Sequence, residues 1–131
     1  MAQELIEKFL DKKNIFAVVG VSANPEKYGH KVYADLKGAG YRVYPINPKL
    51  GEILGDKCHP SLSELPEKPD VVDLVVPPKV TEKVVKECEE LGIKMVWMQP
   101  GSESIETIEF CVKNGIEVLH DICVMVERKK L

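Results

Sequence analysis

The sequence predicts an α/β fold: a doubly wound parallel sheet of about five strands in a three-layer α/β/α arrangement. Three observations carry that expectation. Short apolar runs recur at residues 15–20, 41–46, 71–76, 94–98 and 116–119. Most are apolar at consecutive positions, the pattern of strands covered by helices on both faces. Between them lie segments with apolar residues at helical spacing, which implies crossover connections and parallel strands. The first run stops at Gly20 and passes through a small polar loop into a helical pattern. Such a strand–loop–helix unit suits phosphate, because a helix N-terminus presents unpaired N–H groups and the positive end of a dipole.

The elements follow in order. Leu5, Ile6, Phe9 and Leu10 have helical spacing, so residues 2–13 read as a helix packed against the sheet edge, with Lys12-Lys13 suited to its C-terminus. After the first strand, Val32, Leu36 and Ala39 mark a helix that Gly38 and Gly40 end. The second strand closes at Asn47-Pro48-Lys49, since Pro48 has no N–H for a continuing ladder. Residues 50–69 are the least regular, with a short helical turn at 61–65 and three prolines. The third strand is apolar except for Asp73, and Pro77-Pro78 stops it. Val80, Val84, Val85, Cys88 and Leu91 mark the next helix, with Gly92 at its end. Gln99-Pro100-Gly101 leaves the fourth strand, and Ser102 reads as the N-cap of the following helix. The tail from His120 onward carries Ile122, Val124, Met125 and Val126 before a basic end.

Composition narrows the function classes. With 131 residues, 44% of them hydrophobic, the chain suits one domain, residues 1–131, with its own core. Its 18 basic and 21 acidic residues leave a net charge of −3, so nucleic acid and anionic membrane are not expected partners and any anion site is local. No run approaches the ~18 apolar residues of a membrane span. The start, Met1-Ala2-Gln3-Glu4, is acidic and amphipathic rather than a secretory signal, so a cytoplasmic protein is expected. Cys58, Cys88, Cys111 and Cys123 form no C-x-x-C pair, and Cys58-His59 has no partner at zinc-ligand spacing. Free, mostly buried thiols and no metal site are expected. Abundant Lys and Glu, with Gln only at positions 3 and 99, is a composition reported for hyperthermophiles.

In doubly wound sheets, ligands lie outside the C-terminal strand ends, where the strand order reverses. The first loop is neither G-x-G-x-x-G nor a P-loop, yet Gly20 allows close backbone approach and Ser22 and Asn24 are short polar side chains. NAD-binding domains place an acid at the end of the second strand. Here stand Asn47, Pro48 and Lys49. A lysine there suits a nucleotide with phosphate on its ribose, such as NADP or coenzyme A, or else is a solvated turn residue. Pro77-Pro78 could wall an adenine or a flexible arm, or simply end the strand. Gln99 could bind ligand amides or cap backbone. No nucleophile–His–acid order stands out among His30, His59 and His120. His120-Asp121 is the best acid–base candidate, but no catalytic residue is assigned. Cys123 could face the site and exchange with a thiol ligand, with core packing as the alternative.

Together, VVGVSANPEKYGHKV (18–32), GYRVYPINPK (40–49), VDLVVPP (72–78), WMQPG (97–101) and HDICVMVE (120–127) resemble the small CoA-binding domain proteins. That family is similar to the N-terminal domain of the succinyl-CoA synthetase α subunit. The resemblance implies a Rossmann-like fold with coenzyme A as cofactor. It implies that the loop with Ser22, Ala23, Asn24 and Pro25 meets the CoA diphosphate and that Lys49 contacts a CoA phosphate. Val76 and Pro77 would lie along the nucleotide or pantetheine, and Gln99, Pro100 and Gly101 would approach the pantetheine end. Lys27 and Tyr28 match the lead into the helix. The synthetase also has a second domain with a phosphorylated histidine and a nucleotide-grasping partner, and this chain, ending at Leu131, is expected to have neither. The expectation is therefore a stand-alone binder of CoA or acyl-CoA without catalysis of its own. Alternatives are a small NADP-linked oxidoreductase and a CoA-site subunit of a separate acyl-CoA synthetase. A homo-oligomer or a ligase partner subunit is a compatible assembly.

Overall fold

Every apolar run forms a strand of one parallel sheet in the structure, a computed structural model that describes residues 2–131. Residue 1, the first of the expected domain, lies outside the described residues. In chain order the elements are α1 (Ala2–Phe9), β1 (Ile15–Val19), α2 (Tyr28–Gly38), β2 (Arg42–Ile46), β3 (Glu52–Ile53) and β4 (Asp56–Lys57). A 3-10 turn (Leu62–Glu64), β5 (Val71–Leu74), α3 (Pro78–Leu91), β6 (Met95–Met98), α4 (Ile105–Lys113), β7 (Glu117–His120) and α5 (Val124–Lys129) complete it.

The five-stranded sheet has the order β2-β1-β5-β6-β7, all parallel. The chain winds one way from β1 to β2 and the other way from β5 to β7, so the order reverses between β1 and β5. One face carries α1, α2 and α5 over Phe16, Val18, Val71, Trp97 and Leu119. The other carries α3 and α4 over Ala17, Val19, Val72, Leu74, Val96 and Met98. Successive strand residues thus feed opposite cores, which is why the runs read as continuously apolar.

Some local expectations are corrected. The first helix stops at Phe9, because Asn14 Nδ2 donates to the Lys8 and Phe9 carbonyls at 2.8 and 3.0 Å and satisfies its C-terminus. It packs on the sheet face rather than at the edge, with Phe9 edge-on to Trp97 at 6.0 Å. Lys12 serves a different helix, donating to the Ala39 carbonyl beyond α2 at 2.6 Å. Ser102 is not an N-cap. Its hydroxyl donates to the Gln99 carbonyl within a turn at 2.7 Å, and Ser104 caps α4 instead. The region 50–69 holds the unforeseen antiparallel β3–β4 pair. His59 then exchanges backbone hydrogen bonds with Pro45 and Asn47 and covers the β2 edge. Pro45 fits in β2 because an edge strand needs no N–H on its outer side. The tail forms α5, tied to α2 by a two-point Arg128–Asp35 ion pair at 2.7 and 2.8 Å.

Candidate functional site

β1 is followed directly by Gly20, whose φ of +101° an L side chain rarely adopts. A Cβ there would lie 2.2 Å from the Val75 carbonyl oxygen, and one on Gly29 would lie 2.1 Å from the Gly20 carbonyl oxygen. The exit of β1 is thus wedged between the exit of β5 and the first turn of α2. Gly20 therefore has a packing reason of its own, this close contact between protein segments. Gly29 was missed by the sequence reading; a glycine opening a helix that follows such a loop was its signal.

The loop between them satisfies itself. Ser22 Oγ accepts from the Asn24 N–H at 3.1 Å, Asn24 Oδ1 accepts from the Glu26 N–H at 2.9 Å, and His30 Nδ1 lies 2.8 Å from the Ser22 carbonyl oxygen. Residues 23–27 are exposed, and Lys27, the N-cap of α2, gives no side-chain cap. The first turn of α2 holds no acid, and neither does that of α3, whose cap is Pro77. Two helix N-termini beside the switch point are therefore open to an anion.

At the end of β2, Asn47 Nδ2 donates to the Val21 carbonyl at 2.7 Å and Asn47 Oδ1 accepts from the Lys49 N–H at 2.8 Å. The Asn47 side chain is a strut between two loops. It sets Pro48 and Lys49 beside the first loop, both exposed. A negatively charged, phosphate-bearing group fits this surface: uncapped N–H groups, an exposed lysine, no acid in either first turn.

Tyr28, Val76, Pro77, Pro78, Pro100 and Gly101 come together around a groove of about 380 Å³, joined by Val75 and Ser102. Residues 22–25, Lys27, Asn47, Pro48 and Lys49 lie outside its lining. Gln99 is placed differently from the expectation that it faces a ligand. It is wholly buried: Nε2 donates to Asp73 Oδ1 at 2.6 Å, while Oε1 accepts from the Val124 N–H at 3.1 Å and the Tyr28 hydroxyl at 3.0 Å. Its amide is committed to protein groups because β6 delivers it beneath α5.

Asp73 was passed over in the sequence, where one acid in an apolar strand was its signal. It is fully buried, its Oδ2 has no hydrogen-bond partner, and burial pushes its pKa up to about 7 against the opposing Gln99 hydrogen bond. The Tyr28 hydroxyl oxygen also lies 2.7 Å from Cys123 Sγ, within hydrogen-bond reach of a second partner. Burial first, then Cys123 and the Asp73 charge, raises the Tyr28 pKa well above that of a free phenol. Cys58, Cys88 and Cys111 are buried, whereas Cys123 is half-buried. His120 and Asp121 pair with each other at the exposed end of β7, apart from the groove lining. Among the described residues, no three His, Cys, Asp or Glu side chains are arranged to hold a metal. Among the described residues, no helix is long and apolar enough to cross a membrane.

A family model described as "CoA binding domain" matches residues 14–129. The uncharacterized protein YneT of Bacillus subtilis (strain 168) is 31% identical over 121 residues, spanning 92% of this chain and 90% of YneT. The α subunit of ADP-forming acetate–CoA ligase II from Pyrococcus furiosus is 31% identical over 131 residues, covering 92% of this chain but 28% of that subunit. Among solved structures, a conserved hypothetical protein from Pyrococcus furiosus superposes with a TM-score of 0.83 at 47% identity. That match covers 87% of this chain and 98% of the other.

Proposed function

The chain belongs to the CoA-binding domain family, and on that premise we propose that it binds coenzyme A or an acyl-CoA across the C-terminal ends of β1, β2, β5 and β6. The diphosphate lies over Ser22, Ala23, Asn24 and Pro25 against the uncapped start of α2, and Lys49 pairs with a CoA phosphate. Val76, Pro77 and Pro78 wall the nucleotide side, and the pantetheine arm runs past Tyr28, Pro100 and Gly101. Gln99 acts from below, holding Tyr28 and α5 in place rather than touching ligand.

One observation supports this reading most: the acid-free, uncapped N-terminus of α2 opens beside a groove whose walls are mostly apolar. Such a surface suits a ligand with anionic groups at one end and a long, weakly polar arm at the other. We assign no catalytic residue. We also place the protein in the cytoplasm of a thermophile, on its four unpaired thiols and its Lys- and Glu-rich, Gln-poor composition.

Calorimetric titration with CoA, NAD and NADP tests the proposal. CoA should bind and NAD should not; NADP binding without a CoA response would replace this reading by that of an NADP-linked protein. The similarity to the ligase α subunit favours a second role, lending the CoA site to a separate ligase polypeptide. Co-purification of a polypeptide with an ATP-grasp domain would support it.

A further inference from the structure

Behind the part of the groove wall that Tyr28 forms, four polar side chains converge: Tyr28, Gln99, Asp73 and Cys123. Tyr28 from α2 lines the groove, and its hydroxyl reaches Gln99 Oε1 at 3.0 Å and Cys123 Sγ at 2.7 Å. Gln99 in turn reaches Asp73 Oδ1 at 2.6 Å. The Asp73 carboxyl is turned into this cluster with full burial, yet its second oxygen has no partner. Packing alone does not call for this arrangement, because a buried oxygen left without a partner destabilises the fold. Cys123 differs from the other three thiols, which are shut inside the core.

We propose that Cys123 is a thiol–disulfide exchange site for the sulfur end of a ligand held in the groove; this rests on the CoA reading above. The phosphates anchor one end of such a ligand over residues 22–25, and the groove carries its arm past Pro100 and Gly101 to the Tyr28 hydroxyl, which contacts the Cys123 sulfur.

The Tyr28 hydroxyl has one proton and two acceptors. With a neutral thiol, it donates to Gln99 and the Cys123 S–H donates to the phenol oxygen. When the sulfur carries charge, the phenol proton turns to it, and Gln99 Oε1 keeps the Val124 N–H at 3.1 Å. Burial keeps Tyr28 protonated and able to donate. The attacking species is the thiolate. Cys123 gives its proton to solvent and its sulfur attacks one sulfur of the ligand disulfide. A new S–S bond forms, the ligand's S–S bond breaks, and the electron pair leaves on the departing thiolate, which takes a proton from solvent. Cys123 is oxidised as the ligand disulfide is reduced, so no further oxidant enters.

The test incubates the full chain with CoA disulfide and, separately, with glutathione disulfide, then reads intact mass and the modified peptide. One adduct, on Cys123, is expected, formed at least tenfold faster from CoA disulfide than from glutathione disulfide. Cys123→Ser should abolish it while still binding CoA in calorimetry, and Tyr28→Phe should slow it and shift its pH profile. Equal rates with both disulfides, or an adduct on Cys58, Cys88 or Cys111 instead, would overturn the proposal. So would CoA binding in calorimetry with no adduct, and that outcome leaves the CoA reading intact. No CoA binding at all would remove the reading on which the proposal rests.

Discussion

The N-termini of α2 and α4 both follow a strand of the same sheet, yet they are finished in opposite ways. At α4, Ser104 Oγ accepts from the Thr107 N–H at 3.1 Å and Thr107 Oγ1 accepts from the Ser104 N–H at 2.9 Å, with Glu106 in the first turn. Its orphan donors and its dipole are used up inside the protein. At α2, Lys27 offers no cap, and the nearby Ser22 and Asn24 spend their oxygens on the loop's own N–H groups. The end that closes itself is structural, and the end left open beside the switch point is where an anion gains most.

The largest expected effect comes from filling the contact that seats α2. Gly29→Ala would push a Cβ to 2.1 Å from a backbone oxygen. Overpacking at a site that cannot yield should cost about 3 kcal/mol in urea unfolding and abolish CoA binding. A loss under about 1 kcal/mol would mean that the loop gives way and that the seat of α2 is not rigid.

Next comes the floor beneath α2. The Asp73 pKa is about 7 in the fold, above its unfolded value of roughly 3.9. The folded state therefore holds the proton more tightly than the unfolded chain. The resulting stability is complete below about pH 4 and is lost as pH rises through about 7. Between pH 5 and 7.5 the wild type should lose about 2 kcal/mol from this group, and Asp73→Asn should remove that slope. Equal slopes in the two proteins would clear Asp73 of the effect.

Lys49→Glu should weaken CoA binding about tenfold, or about 1.4 kcal/mol, through loss of a charge-assisted contact. Unchanged affinity would take Lys49 out of the site. The smallest change separates the two helix ends directly. Ser104→Ala should cost about 1 kcal/mol of stability without altering CoA affinity, whereas Lys27→Asp, which gives α2 a cap of its own, should weaken CoA binding and leave stability equal or higher. If both variants lowered affinity alike, the distinction between the two ends would fail.

Strands were legible because burial on both faces leaves a continuous apolar run, and each such run became a strand. The β3–β4 pair was not, since its strands have two residues each and no periodicity to read. α5 escaped for a similar reason: six residues hold too little of a helical repeat. Groove residues Val76, Pro77, Pro78, Pro100 and Gly101 could be nominated because strand ends and prolines mark loops. Gln99 had the same credentials, and nothing local told that its amide would be buried. Ser102 and Ser104 were equally good caps by type, and only the turn at Gly101, with φ of +98°, decided between them.

Local chemistry in the chain determined the alternation of strand and helix, the parallel sheet, and the loops where a ligand can lie. Apolar periodicity, glycine and proline act over a few residues and need no distant partner to be read. Tertiary structure alone decided which of those loops meet and which side chains remain free. It brought Tyr28, Asp73, Gln99 and Cys123, far apart in sequence, into one hydrogen-bonded cluster. It also wedged Gly20 between Val75 and Gly29. Hydrogen bonds and close contacts of that kind depend on strand order and helix seating, which are properties of the assembled sheet.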